Sequence, residues 1–152
     1  MRTWFSAETG EALRGGLEIA LEYYDEQVDR LEQLGESELL QEEIRRAHRE
    51  PGRFWETLLS VDPEVDTLQL FREGEPLSTL GDPELRLNWQ EAQTLRTGFV
   101  SRASRGEVSL LRYRFAYVDQ GVRYDLVMSR RLPEGFNAAA LNLTRSIETF
   151  DQ

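Results

Sequence analysis

The sequence of 152 residues contains no cysteine, a single histidine and no long apolar run. Without cysteine, the chain has no disulfide, no zinc–thiolate site and no thiol nucleophile. With one histidine, serine-type catalytic triads and histidine-rich metal sites are excluded. No stretch of about 18 apolar residues is present, so no segment is predicted to cross a bilayer, and no signal peptide is recognised. A small hydrolase is therefore the weakest functional interpretation.

Positive charge is also scarce, since 18 basic residues stand against 28 acidic ones and the net charge is −10. Binding a phosphate backbone requires clustered cations, so we expect no nucleic-acid partner. The acidic residues lack the spacing of a calcium loop, and no glycine-rich phosphate loop lies between a strand and a helix. We therefore predict no metal and no cofactor, and a solvated acidic surface formed by Glu42, Glu43, Glu73, Glu75, Asp82 and Glu84.

An amphipathic helical pattern is found at each end of the chain. Such a stripe suits either a helix that faces the domain's own core or one that pairs with another helix. The final pattern has no Gly or Pro stop, so we expect that helix to continue beyond the given sequence. The last apolar repeat begins with Phe136 and Ala140. The residues predicted to pair are Leu17, Leu21, Tyr24, Val28 and Leu31 in the first pattern and Leu143, Ile147 and Phe150 in the last.

Between these patterns, the turn signals and alternating residues predict a mixed α+β domain that spans residues 1–152. The order is a long helix, two shorter helices, a hairpin, a helix, a strand, a second hairpin and a C-terminal helix. Five antiparallel strands in this order favour a PAS-like sheet. The predicted ranges are 6–34, 37–49 and 53–60 for the first helices, 66–80 for the first hairpin, 83–97 for the next helix, about 65–132 for the whole sheet and about 134–152 for the C-terminal helix.

The second hairpin has a predictable register. A two-residue loop at Gln120 and Gly121 pairs Tyr117 with Tyr124 and collects the apolar residues of both strands on one face. Because side chains alternate along a strand, the opposite face is polar. The residues predicted on that polar face are Arg112, Arg114, Asp125 and Ser129.

Three segments carry a resemblance to a known group of proteins. They are Trp4–Phe5 before the long helix, the run from Leu68 to Leu77 (LQLFREGEPL), and Leu132–Phe136 (LPEGF) before the last helix. In this order they resemble the PAS-like, single-Cache (PDC) extracytoplasmic sensor domain of membrane-bound histidine kinases, the nitrogen-regulation type in particular. The resemblance implies sensing of a ligand or of membrane stress in the periplasm, a homodimer, flanking transmembrane helices outside this sequence, and a cytoplasmic kinase that this chain lacks.

The same resemblance implies that one face of the sheet lines a small ligand cavity. Arg112 and Arg114 carry fork-shaped donors suited to a carboxylate or a phosphate. Asp125 could hold an amine or pair with Arg114. The alternative for the arginines is solvent exposure with cross-strand pairing, and for the aromatic residues an ordinary core position. The amino-acid-binding signature of Cache domains is not recognised, so no ligand class follows. The other predicted lining residues are Tyr117, Tyr124, Trp55 and Trp89.

His48 has a separate interpretation. It is followed by Glu50 and Pro51, but the Pro51–Gly52 break removes the helix that a kinase phospho-acceptor box needs. We therefore predict an exposed helix residue at this position.

These observations favour a non-catalytic sensor domain that passes its signal through the terminal helices to a kinase. Two alternatives remain open from the sequence. One is the sensor domain of a chemoreceptor or of a cyclic-nucleotide-forming enzyme. The other is a soluble interaction domain that docks a partner on a helical stripe.

Overall fold

The computed structural model describes residues 7–133, with side chains from residue 21 onward. The predicted C-terminal helix, with Leu143, Ile147 and Phe150, lies outside the described residues. Within the described part of the chain, no helix is both long and apolar enough to cross a membrane. The helices are α1 (Ala7–Glu36), α2 (Glu38–Ile44), α3 (Pro51–Val61) and α4 (Trp89–Ala92), and the strands are β1 (Thr67–Arg72), β2 (Glu75–Gly81), β3 (Val100–Arg105), β4 (Val108–Asp119) and β5 (Val122–Arg131).

The five strands form one antiparallel sheet in the order β2-β1-β5-β4-β3. The predicted α+β class with a five-stranded antiparallel sheet is therefore confirmed. Both hairpins close through two residues with positive φ, which matches the right-handed twist of the strands. In the second hairpin these are Gln120 and Gly121 with φ of 52° and 77°. The predicted pairing of Tyr117 with Tyr124 is also confirmed.

The apolar face of the sheet packs against α1, α2 and α3. The close approach depends on Gly35 near the end of α1, because a Cβ there would lie 2.8 Å from the ring of Tyr113. A larger residue at this position would push the helix off the sheet. The buried residues of this core include Leu31, Leu34, Phe54, Leu58, Leu68, Leu70, Leu111, Leu126 and Met128.

The two short helices differ from their predicted bounds. Helix α2 ends at Ile44, five residues earlier than predicted, and residues 45–49 form a turn instead. Helix α3 begins at Pro51, two residues before its predicted start, so Pro51 opens this helix. Proline is well tolerated at the first helical position, because its missing N–H would have no partner there.

The helix predicted over 83–97 is wrong. The segment 82–98 is irregular and holds only a 3-10 turn at Pro83–Leu85 and the four-residue α4. Buried side chains from the sheet divert its backbone groups. The Gln69 amide donates to the Leu87 carbonyl at 3.0 Å and accepts from the Leu87 N–H at 2.9 Å. A backbone bound in this way cannot continue a helix, and the capping box of Asn88 and Glu91 starts a new one.

Candidate ligand-binding site

The polar face of the sheet is buried beneath the segment 82–98. Arg112 is 2% exposed, Arg114 is 7% exposed and Asp125 is 1% exposed. The alternative interpretation of these arginines as solvent-exposed is therefore wrong. Because buried ionic groups are unfavourable unless they are paired, each contact made by these three side chains bears on what the face does.

Arg114 has a structural role, because its donors bind Asp125 and the backbone of the covering segment. Its Nε and Nη2 donate to Asp125 Oδ2 at 3.0 Å and 2.8 Å. Its Nη1 donates to the backbone carbonyls of the covering segment, at 2.8 Å to Leu95 and 3.2 Å to Gln93. The other carboxylate oxygen of Asp125 accepts from Arg123 at 3.1 Å. Of the two roles considered for Asp125, the structure shows pairing with Arg114.

Arg112 keeps a donor that is not used. Its Nη1 donates to the Leu85 carbonyl at 2.9 Å and to Ser129 Oγ at 2.6 Å. Its buried Nε has no hydrogen-bond partner among the residues that the structure describes. Burial, together with the nearby charge of Arg105, lowers the pKa of Arg112 to about 10, while Glu91 acts in the opposite direction. This site would therefore gain from an added negative charge.

A cavity of about 370 Å³ lies beside Arg112, between the covering segment and the strands β3 and β4. Its walls are mostly apolar, and two of its lining residues are arginines. The acid in the lining, Glu91, is already engaged, because its carboxylate accepts from the Asn88 N–H at 3.2 Å. A small, partly apolar pocket with a few polar groups is the usual form of a ligand site. The lining residues are Leu87, Gln90, Glu91, Thr94, Leu95, Ala103, Ser104, Arg105 and Arg112.

Trp89 lies on the polar side of the sheet but does not line this cavity. Its ring packs against Phe71 with the centroids 5.4 Å apart, and the Arg114 guanidinium carbon lies 5.4 Å from the Trp89 centroid. Trp89 therefore belongs to a small second core formed with Phe71, Ala92 and Val127.

The other three predicted lining residues lie on the opposite face. Tyr117 and Tyr124 point from the sheet toward the helices, and Trp55 belongs to α3; Tyr117 and Trp55 pack against the main core. Because side chains alternate along β4 and β5, both tyrosines face away from Arg112 and do not line a pocket with the arginines. The structure brings Arg112 to a cavity and joins Arg114 with Asp125 in a buried ion pair. The aromatic candidates lie in or beside the two apolar cores.

Sequence reasoning missed a polar cluster around His48. The predicted exposed helix residue is in fact a turn residue whose side chain is 9% exposed. Its Nδ1 lies 2.6 Å from the Tyr117 hydroxyl, its Nε2 lies 3.1 Å from Asp119 Oδ2, and its ring stacks on Tyr124 at 3.9 Å. These partners are about 70 residues away in sequence, and no local pattern links them to His48.

The predicted helix-pairing stripe of α1 is divided by the structure. Leu31 is fully buried in the chain's own core, so it is not available to pair with a second helix. Tyr24 and Val28 pack against the same core. Leu21 is 49% exposed, and the side chain of Leu17 lies outside the described residues. The core-facing interpretation therefore applies to the C-terminal half of the stripe.

A second cavity of about 340 Å³ lies between α1 and the connection from α3 to β1. Its charged groups already satisfy one another. Arg30 Nη1 lies 3.6 Å from Glu64 Oε2, and Arg130 Nη1 lies 2.9 Å from Asp62 Oδ2. Because the charged groups named here are paired, this second cavity is a weaker candidate for a ligand site than the cavity beside Arg112.

A comparison with solved structures finds a similar fold. The match is to the extracellular domain of the putative histidine kinase vpHK1S-Z8, with a TM-score of 0.50 and 15% sequence identity. It covers 86% of this chain and 60% of that chain, so the present chain spans less than two thirds of the neighbour. At this identity the likeness shows a shared fold. No protein-family model matches the chain, and the search of curated proteins gives no match.

Proposed function

We propose that this chain is an extracytoplasmic sensor domain of a signalling protein and that it binds a small anionic ligand beside Arg112. The shared fold with the extracellular domain of a kinase supports the sensor role. The observation that carries the ligand is the Arg112 guanidinium. Arg112 is 2% exposed and adjoins a cavity, and its Nε has no hydrogen-bond partner in the part of the chain that the structure describes. The chain itself is proposed to have no catalytic role. A histidine kinase is the proposed parent protein, and the nitrogen-regulation type gains no support from the comparison.

An anion fits this cavity better than a cation does. Arg105 and Arg112 both line it, and Arg105 lowers the pKa of Arg112, so the two positive charges disfavour each other. A carboxylate or a phosphate would compensate both charges and could accept from the free Nε. The apolar lining, with Leu87, Leu95 and Ala103, suits a ligand that joins an anionic group to a small hydrocarbon part.

The cavity volume of about 370 Å³ limits the ligand to a small molecule. The covering segment 82–98 can transmit the binding of that ligand to the rest of the domain. Arg112 binds the Leu85 carbonyl, so a ligand that moves Arg112 would also move the segment 82–98. A ligand can shift the domain between two arrangements only by its difference in affinity for them, and about 1.4 kcal/mol changes their ratio tenfold.

Transmission through the terminal helices, paired across a homodimer, is part of the same proposal. Helix α1 has 30 residues, which corresponds to about 45 Å, and its described C-terminal half is anchored in the core. In the full-length signalling protein, Leu21→Asp, Leu143→Asp and Ile147→Asp should each change the output. If the output is unchanged in all three variants, transmission through these helices is contradicted.

A thermal-shift screen tests the ligand. The panel contains sodium salts of phosphate, sulfate, acetate, succinate, citrate and glutamate, with putrescine, spermidine and glucose as comparisons that carry no anionic group. A ligand at 100 times its dissociation constant adds about 2.7 kcal/mol, which is on the order of 5–10 °C for a domain of this size. We expect a shift from at least one anion and none from the cations.

Two variants locate the binding, and a third serves as the control. Arg112→Met removes the charge at the cavity, and Ala103→Leu fills the cavity without a charge change. Both should abolish the shift. Arg53→Met removes the same charge from an exposed position on α3, where the side chain is 65% exposed, and should retain it. A shift that survives both cavity variants, or a panel without any shift, contradicts the proposed site.

A further inference from the structure

The sole histidine of the chain lies at a junction between three segments. The turn 45–49 between α2 and α3 carries His48, and its backbone N–H lies 3.4 Å from the Tyr117 hydroxyl on β4. The ring stacks on Tyr124 of β5 with centroids 3.9 Å apart and an interplanar angle of 20°. The same turn is held a second time, since Arg49 Nη2 donates to Asp119 Oδ2 at 2.9 Å.

The contacts of the two ring nitrogens indicate which of them carries the proton when His48 is neutral. Burial raises the pKa of Tyr117 to about 12, although its hydrogen bond with the His48 backbone acts in the opposite direction. The Tyr117 hydroxyl therefore keeps its proton at neutral pH and can donate it to Nδ1 across 2.6 Å. Nε2 then carries the ring proton and donates it to Asp119 at 3.1 Å. Each group in this arrangement has a partner of the right kind.

A proton added to the ring changes both contacts. Nδ1 becomes a donor, so the Tyr117 oxygen must accept, and its own hydrogen must turn away from the ring. The contact between Nε2 and Asp119 becomes an ion pair, which strengthens it. The titratable and charged groups that face His48 are Tyr117 and Asp119 on β4, Tyr124 on β5 and Arg49 on its own turn.

We propose that His48 makes the turn between α2 and α3 responsive to protons, through the reversal of its hydrogen bond with Tyr117. Histidine is the side chain whose ordinary titration falls between pH 5 and 8, and this chain has one histidine and no cysteine. This cluster is separate from the ligand cavity, because Tyr117 and Arg112 lie on opposite faces of the sheet. It would give an extracytoplasmic domain a second input, the acidity of its surroundings.

NMR of the full chain, labelled with ¹⁵N, tests the proposal from pH 5 to 8.5, and the imidazole signals need no assignment because there is one histidine. At pH values above the midpoint of the ring titration, we expect neutral His48 to carry its proton on Nε2. The backbone amides of residues 46–50, 117 and 124 should shift with the same midpoint as the ring. The Nδ1–H tautomer, or turn amides that do not follow the ring titration, would overturn the proposal.

Matched variants separate the two contacts. Tyr117→Phe removes the hydroxyl that contacts Nδ1 in both forms of the ring, so the backbone amides of residues 46–50 should no longer follow the ring titration. Asp119→Asn removes the partner of the charged ring, so the midpoint should fall. His48→Gln should remove the pH dependence of the turn amides, with near-ultraviolet circular dichroism at pH 7 as the check of folding. If Asp119→Asn leaves the midpoint unchanged, or if the turn amides of Tyr117→Phe still follow the ring titration, the proposed reversal is wrong.

Discussion

The two faces of the sheet are built from different chemistry, although the same strands form both. On β5, Leu126 points to the helices and is fully buried among apolar residues, while its neighbour Asp125 points to the covering segment and is 1% exposed. The helix face is held by apolar burial, which has little directionality. The other face is held by directed bonds from Gln69, Arg112 and Arg114 to backbone groups of the segment 82–98.

This difference indicates where each part of the function can reside. An apolar core that is close-packed tolerates little change, so the helix face keeps α1 in place. On the polar face, the buried Nε of Arg112 has no hydrogen-bond partner among the described residues, so Arg112 can take up a ligand without giving up a bond to the covering segment. The ligand-dependent movement is therefore expected on the polar face, and the fixed attachment of α1 on the other.

Asp125→Ala should have the largest effect on stability. It leaves the buried Arg114 without its carboxylate, and breaking a buried pair in this way costs about 3–5 kcal/mol of unfolding free energy. Urea denaturation measures the loss, with Glu107→Ala as the control, because Glu107 is exposed in the turn after β3. A loss no greater than that of Glu107→Ala would show that the pair does not hold the polar face.

Leu126→Ala should cost about 2–5 kcal/mol, because it leaves a cavity in the helix-side core. The control is Leu77→Ala on β2, where the side chain is 42% exposed. Hydrogen exchange distinguishes the two faces. Leu126→Ala should increase exchange in α1 and α3, whereas Asp125→Ala should increase it in the segment 82–98. The same exchange pattern in both variants would contradict the division of roles.

Arg112→Met should cost less, about 1–3 kcal/mol, since it removes two hydrogen bonds from a charged donor. It also removes a desolvated charge with an unpaired Nε, which partly offsets the loss. Urea denaturation of Arg112→Met and Arg114→Met compares their losses of unfolding free energy. If Arg112→Met proves at least as destabilising as Arg114→Met, Arg112 is a structural residue and not a ligand anchor.

The smallest predicted effect is a pH dependence on the helix face. Burial raises the pKa of Tyr117 from 10 to about 12, so the folded state keeps a proton that the unfolded state releases between these values. The resulting stabilisation is fully present below pH 10 and is lost as the pH rises through about 12. The lowered pKa of Arg112 has the opposite sign in this range.

Comparing the wild-type protein with Tyr117→Phe cancels the contribution of Arg112. The advantage of the wild type in unfolding free energy should be greater at pH 9 than at pH 12. An advantage that stays constant over this range would mean that the Tyr117 hydroxyl is not buried as described.

The sequence predicts the sheet well because its signals are local. The alternation of Tyr113, Phe115 and Tyr117 and the Gln120–Gly121 turn determine the second hairpin and its register. The covering segment is not predictable in this way, because Gln69 and Arg114 reach it from distant strands and override its helical propensity. The contact of His48 with Tyr117 depends on tertiary packing for the same reason. Among the site candidates, Arg112 could be placed on the polar face, but its free Nε could not be foreseen.

The most direct test of the ligand site is an NMR titration of the arginine Nε–Hε signals with the same sodium salts of phosphate, succinate and citrate. The signal that disappears in Arg112→Lys is assigned to Arg112. We predict that this signal shifts to saturation with at least one salt, while the Arg114 Nε, already bound to Asp125 at 3.0 Å, changes little. If no salt saturates the Arg112 signal, or if only exposed arginines such as Arg53 respond, the polar face is not an anion site.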